Sequence, residues 1–254
     1  MGAATMITKE VLLDIGKKKG LSNKEHIEKD YFQDVMLFNI FKTTNKLIFK
    51  GGTALYKLHN LPRFSEDLDF SLLEALNFEA ITQIIKKSVN FPASSPIFEI
   101  SSIKETKKSI MVKIGCKGII TQYNTLRIDI NRKNKILNQF VITSYIPSYI
   151  DINPFSLRSL SKEEMIAEKI HAILTKEKAR HVFDLFYLLR MAKLDKALTK
   201  EKLKLFNLNY DKKSIMGKVS IINSVWKSEL QPFVLNQLPS FEIVKSYINQ
   251  NLPS

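Results

Sequence analysis

The chain has 254 residues, 44% hydrophobic and 25% charged, with 8 glycines and 8 prolines, enough for one large core or two small ones. No apolar run of about 18 residues is present to span a membrane, and the single cysteine, Cys116, excludes an intrachain disulfide framework and a cysteine-rich zinc site. Lys and Arg number 39 against 25 Asp and Glu, a net charge of +14. That balance favours a polyanionic partner through counterion release and steering, or else marks a solubilising lysine surface. The opening residues lack a basic-then-apolar signal pattern, and the single cysteine fits a reducing cytoplasm, the expected location.

Residues 6–45 read mainly as helix. Ser22 is placed as an N-cap with Glu25 at capping-box spacing, and Ile27, Tyr31, Val35 and Phe38 recur at helical spacing behind it. Leu47, Ile48 and Phe49 form a short strand that ends at Gly51 and Gly52. A short helix is predicted over 53–59, a strand over 66–72 and a helix over 77–90, with a loop between Pro92 and Pro96. Strands follow over 98–103, 110–116 and 125–131. In the last of these Leu126, Ile128 and Ile130 share one face, while Arg127, Asp129 and Asn131 share the other. From Lys104 to Lys135 nine basic residues, Lys133 among them, face two acids, a stretch suited to phosphate. Composition shifts between Pro147 and Pro154, where a domain boundary is placed. Helices are then predicted from Ser161, an N-cap with Glu164 at box position, to about 174, and over 177–191, 199–207, 213–230 and 240–250.

The chemistry concentrates before and within the second strand. Asp67 and Asp69, two apart, project from one strand face with their backbones roughly 6.6–6.8 Å apart, while Leu68 and Phe70 take the other. Paired carboxylates repel and resist burial without a compensating charge; a divalent cation supplies it, since Mg²⁺ is usually held by one or two carboxylates plus substrate phosphates. Gly51 and Gly52 let backbone N–H groups approach a phosphate at a helix N-terminus, although a glycine pair alone can also be a plain strand-to-helix turn. Lys169 lies beside a buried stripe of Ile166, Ile170 and Ile173, either snorkelling or functional. Asp184, in a helix of Phe183, Leu185 and Phe186, needs a cationic partner, which Arg180 or Lys169 can supply. His26, His59 and His171 show no ligand-like grouping, and Cys116 reads as a small buried apolar residue.

Two segments carry a resemblance. Lys50-Gly51-Gly52-Thr53-Ala54-Leu55, followed by Arg63-Phe64-Ser65-Glu66-Asp67-Leu68-Asp69-Phe70, resembles the first motif of the AbiEii/AbiGii toxin family. Glu163-Glu164-Met165-Ile166-Ala167-Glu168-Lys169-Ile170-His171-Ala172, then Lys178-Ala179-Arg180-His181-Val182-Phe183-Asp184-Leu185, resembles the second. These are nucleotidyltransferase-like toxins of bacterial toxin–antitoxin and phage-abortive systems. The resemblance covers roughly residues 27–190.

It implies an α/β (α+β) fold, with a polymerase-beta-type core on a small mixed sheet over 1–150 and a helical C-terminal domain over 151–254. It implies an enzyme that moves NMP from an NTP to an RNA acceptor, a tRNA 3′ end foremost, releasing pyrophosphate. Gly51, Gly52 and Thr53 would hold the triphosphate, with Ser65 in the site. Asp67 and Asp69 would ligate Mg²⁺, with Mn²⁺ as the alternative ion. Lys169 would contact the triphosphate, Asp184 would complete the site from the next helix, and Arg180 would reach phosphate. Asp129 is either a third carboxylate, as metal ligand or general base, or a surface Asp–Arg strand position. Many relatives carry aspartate where this chain has His181, and no catalytic part is assigned to it. The implied partners are an NTP, RNA and a cognate antitoxin. Rival readings keep the core but change the acceptor to a protein hydroxyl or small molecule, including phosphotransfer to Ser or Thr, or reduce the chain to a non-catalytic RNA-binding module.

Overall fold

The computed structural model describes residues 7–91, 98–132 and 135–253; the loop expected between Pro92 and Pro96, and Lys133 of the basic stretch, lie outside them. The chain forms two compact units. The first comprises Met1–Ala54, Phe64–Asn134 and Val141–Ser159, so far as these are described, and the second Leu55–Arg63, Lys135–Phe140 and Leu160–Ser254.

The first unit is a seven-stranded mixed sheet with helices. Its helices are α1 (Lys9–Lys18), α2 (Lys24–Thr43) and α4 (Phe78–Val89), and α3 (Gly51–His59) starts in it. The strands are β1 (Leu47–Lys50), β2 (Asp67–Leu72), β3 (Phe98–Glu105), β4 (Ser109–Lys117), β5 (Tyr123–Asn131), β6 (Val141–Tyr145) and β7 (Phe155–Ser159), in the order β3-β4-β5-β2-β1-β7-β6. β1 runs parallel to β7 and β2 parallel to β5, and the other neighbours are antiparallel. All four β1 residues are buried, which explains their unbroken apolar run. β6 and β7 are absent from the sequence reading. Each is five residues long among prolines, and the alternation of Phe155, Leu157 and Ser159 becomes an inward face only once β1 offers an edge.

α2 is the buried helix of this unit. Its N-cap is Asn23, whose side chain accepts the Glu25 N–H at 2.8 Å; the expected Ser22 stands one position outside. Glu28, Asp30, Gln33 and Asp34 are fully buried on it, and each meets a partner that sequence spacing cannot show. Glu28 accepts the backbone N–H groups of Ile119, Ile120 and Thr121. Asp30 accepts the Tyr149 hydroxyl at 2.6 Å, and Asp34 the Tyr145 hydroxyl at 2.9 Å. Buried polar groups require such partners, since leaving one unmade costs about 1–3 kcal/mol.

The second unit is helical apart from its loops. α5 (Lys162–Thr175) packs on α6 (Ala179–Met191), α7 (Lys196–Lys204) and α8 (Lys212–Ile221). A 3-10 turn, Ile222–Val225, leads into α9 (Trp226–Leu230), and α10 (Phe241–Asn251) closes on α6 and α8. Trp226 lies between Phe183 and Phe241 and donates its indole N–H to the Pro239 carbonyl at 3.0 Å. Ser161 caps α5 by accepting the Glu164 N–H at 3.3 Å. The Glu164 side chain does not turn back on the cap; it accepts the Leu137 and Asn138 N–H groups and pairs at 2.6 Å with Lys202, itself 1% exposed. No helix among the described residues is long and apolar enough to cross a membrane.

Candidate active site

In the first unit, β1 delivers the chain to α3 through Lys50 and Gly51. Gly51 has φ +79°, a conformation that strains any side chain. A Cβ there would also run into the Asp69 carboxylate, with the Asp69 Cβ only 2.9 Å away. Glycine is therefore required at 51 by both backbone and space. The first amides of a helix lack intrahelical acceptors, and such a turn is chemically suited to an anion.

Thr53 is fully buried, and its hydroxyl donates to the Asp67 carbonyl. That bond ties α3 to the start of β2. β2 begins at Asp67, so Ser65 stands before the strand instead of on its face. The Ser65 and Glu66 carbonyls accept both hydrogens of Gln33 Nε2, at 2.8 and 3.0 Å, and Lys29 pairs with Glu66 at 2.9 Å. Gln33 and Lys29 hold the approach to the acids. Nothing in the motif points to them, because they lie 32 or more positions away on α2.

Leu68 and Phe70 on β2, and Leu126, Ile128 and Ile130 on β5, are 0–1% exposed. At about 1.5–3 kcal/mol for each large apolar side chain buried, they hold the sheet's alternation in register, and a one-residue slip would exchange its faces. The opposite face collects the charges. Register places Asp67 beside Arg127, and Asp69 between Lys50 of β1 and Asp129 of β5. Arg127 Nη2 donates to Asp67 Oδ2 at 2.8 Å.

Among the described residues no three His, Cys, Asp or Glu side chains stand close enough to hold a metal ion by themselves. Asp67 and Asp69 stand two apart on β2, with Asp129 beside Asp69 in register. A pair of hard oxygen donors beside a glycine turn fits Mg²⁺ or Mn²⁺, ions that take much of their shell from phosphate and water.

The second unit holds Lys169, Asp184 and Arg180. Asp184 is fully buried and receives a bidentate grip from Arg63, Nε to Oδ1 and Nη2 to Oδ2, both 2.7 Å. Lys169 Nζ adds a third contact at 2.6 Å to Oδ2. Burial by itself would push the Asp184 carboxyl up. The charges of Arg63 and Lys169, with their hydrogen bonds, overcome it and hold the group well below the usual carboxylate range. Asp184 is thus the anchor that orients Lys169, which is 8% exposed. Arg180, weighed as a partner from its helical spacing, is exposed; Lys169 and the unanticipated Arg63 take that part. Arg63 is itself fixed by its own N–H to the Leu61 carbonyl at 2.8 Å and a bridge to Val234, while Leu235 N–H bonds Pro62 at 3.0 Å.

His181, one turn before Asp184, is 8% exposed, and neither ring nitrogen has a hydrogen-bond partner. Burial, then the charge of Lys169, lowers its pKa to about 2, with Asp184 opposing and Arg180 and Lys176 assisting.

Comparison with known proteins follows this geometry. The family described as "Nucleotidyl transferase AbiEii toxin, Type IV TA system" matches residues 36–245. No curated protein matches the chain. Among solved structures, MenT4, the nucleotidyltransferase toxin Rv2826c from Mycobacterium tuberculosis H37Rv, is similar with a TM-score of 0.68 at 17% identity, over 94% of this chain and 87% of that one. JHP933 from Helicobacter pylori gives 0.57 at 20% identity, over 90% of each chain. A putative nucleotidyltransferase from H. pylori gives 0.58 at 21% identity, over 90% of this chain and 93% of that one. At such identities these three show a shared fold, a mixed sheet with helices, as the resemblance implied. Taken with the family match over most of its length, the chain belongs to the AbiEii nucleotidyltransferase toxins of type IV toxin–antitoxin systems.

Proposed function

We propose that the enzyme transfers NMP from an NTP to an RNA acceptor, a tRNA 3′ end foremost, and releases pyrophosphate. The observation that carries this is the charged face of β2 and β5, with Asp67 and Asp69 two apart beside the glycine turn of α3. In this reading the acceptor hydroxyl oxygen forms a bond to the α-phosphorus, and the bond from that phosphorus to the bridging oxygen breaks. The pair of electrons leaves with pyrophosphate. Asp129, next to Asp69 in register, takes the acceptor's proton.

Asp67 and Asp69 would hold Mg²⁺ or Mn²⁺, which supplies charge neutralisation at the phosphates when bound. The α3 amides at Gly51 and Gly52 cradle phosphate oxygens. Lys169, held by Asp184, supplies a point charge to the triphosphate, and Arg180 reaches phosphate from solvent. The net charge of +14 suits an acceptor with a phosphate backbone. A cytoplasmic location and a cognate antitoxin complete the reading.

Incubation with each α-labelled NTP, Mg²⁺ and total RNA tests it, with Asp67→Ala as the control. Label on RNA that vanishes in the variant is expected. Label appearing on protein instead, or arriving from γ-labelled but not α-labelled ATP, would overturn the RNA acceptor or the nucleotidyl step respectively.

A further inference from the structure

His181 stands within the second motif segment, and the proposed reaction gives it no part. It occupies the first turn of α6, 8% exposed, with Nδ1 and Nε2 both lacking a hydrogen-bond partner. Buried polar groups in folded proteins are nearly always paired, and an exception calls for a cause. Three causes can be weighed on the structure. A titrating switch is one, but burial and the surrounding cations keep the ring neutral across the working range, and a helix N-terminus disfavours positive charge as well. A general base is another, but a ring so hard to protonate is a poor proton acceptor. The third is a ligand that supplies the missing partners.

A neutral imidazole offers one donor and one acceptor. Phosphate oxygens only accept, so they would satisfy the N–H and repel the other nitrogen. A hydroxyl, or the edge of a base, presents a donor and an acceptor together. The charges acting on the ring come from Lys169 on α5, from Asp184 and Arg180 on α6, and from Lys176 between the helices. Lys169, the residue assigned to the triphosphate, pairs at 2.6 Å with Asp184, which stands one helical turn after His181 on α6. Phosphate chemistry at Lys169 and nucleoside chemistry at His181 fit one bound molecule.

We propose that His181 contacts the nucleoside part of the NTP, hydrogen-bonding a neutral group of the ribose or the base, and so contributes to nucleotide selection. This rests on the nucleotidyl-transfer reading. The bound nucleotide then supplies the partners that the protein does not give Nδ1 and Nε2.

The test compares wild type, His181→Phe and His181→Asn for binding of the α,β-imido analogues of the four NTPs and for thermal melting. Wild-type binding comes first. Its failure would overturn the nucleotidyl-transfer reading and this inference with it, whereas a wild type that binds leaves the variants to decide this inference alone. His181→Phe keeps the ring and loses both nitrogens. It is expected to bind nucleotide about tenfold more weakly and to melt as high as wild type or about 2–4 °C higher, having shed an unpaired polar group. His181→Asn, with a donor and an acceptor, is expected to recover most of the affinity. Loss that differs among the four bases assigns the contact to the base edge. Equal loss for all four, with 2′,3′-dideoxy analogues unaffected by the variant, assigns it to the ribose. Unchanged affinity in His181→Phe overturns the proposal. So does an equal loss in both variants accompanied by lower melting, which would make the imidazole a packing residue.

Discussion

Arg63 grips Asp184 through two parallel hydrogen bonds of 2.7 Å although 121 positions separate them in the chain. Bidentate Arg–carboxylate pairing is among the stronger polar contacts a protein makes, and here Arg63 is 4% and Asp184 0% exposed. Lys169 completes the cluster from α5. Two cations and one anion leave a net positive charge, and the only member with an ammonium is the one assigned to triphosphate. Arg63 and Lys169 share Asp184 Oδ2, and Arg63 also takes Oδ1.

Breaking this cluster should destabilise the protein whatever it does to activity. Arg63→Ala takes the bidentate partner from the buried Asp184, and Asp184→Ala removes the buried carboxylate that Arg63 and Lys169 share. Losses of about 3–5 kcal/mol are expected for removing one member of a buried pair, measured by urea denaturation. A loss below about 1 kcal/mol for both would mean that the pairing is not retained in solution. Lys169→Met keeps the aliphatic stem, and it should lose less stability than Asp184→Ala while weakening nucleotide binding.

Acid should unfold the protein through two groups with depressed folded-state pKa values. Asp184 lies below its unfolded value, so its contribution is complete above about pH 4 and is lost as pH falls below that. His181 falls from about 6.5 to about 2, so the unfolded chain binds a proton that the folded chain refuses. Stability is full above pH 6.5 and declines by about 1.4 kcal/mol per pH unit below it. His181→Phe should flatten the slope between pH 6 and 4 by about one proton, read from melts across that range. A slope identical to wild type would show that the imidazole protonates in the folded state.

Gly51→Ala should disable the site from its backbone. Alanine at φ +79° costs about 1–2 kcal/mol, and its methyl group displaces the Asp69 carboxylate. Turnover should fall at least tenfold with a modest loss of thermal stability. Wild-type kcat in this variant would remove Asp69 from the mechanism.

Asp67→Asn separates charge from packing. Asp67 is partly exposed and paired with a half-exposed Arg127, and pairs of that kind contribute about 0–1 kcal/mol. The variant should melt within about 3 °C of wild type while losing nucleotidyl transfer. Retained transfer with either Mg²⁺ or Mn²⁺ would show that Asp67 does not hold the metal.

Cys116 provides a check on the sheet. It is fully buried on β4, and burial pushes its thiol up to about 12. The native thiol should resist Ellman's reagent over hours and react fully in denaturant. Rapid native reaction would mean that the β3–β4 edge opens.

Local pattern determined much of this chain. The strand ending at Gly51, the alternation of β2 and β5, and the apolar stripes of α5 and α6 are periodicities of 2 and 3.6 residues, visible without a partner. The acids at 67 and 69 and the glycine at 51 were legible for the same reason, since spacing alone puts two carboxylates on one strand face and a turn before a helix. Tertiary structure decided what each polar group is bonded to. Thr53 spends its proton on the Asp67 carbonyl, Gln33 holds the chain at Ser65 and Glu66 from another helix, and β6 and β7 exist as strands because β1 presents an edge to β7. Arg63 stands in the motif itself, yet nothing near it in sequence says that its partner is Asp184. Periodicity records which side of an element is buried. The choice of a hydrogen-bond partner depends on distances of 2.6–2.8 Å between residues far apart in the chain, and only the folded backbone sets those.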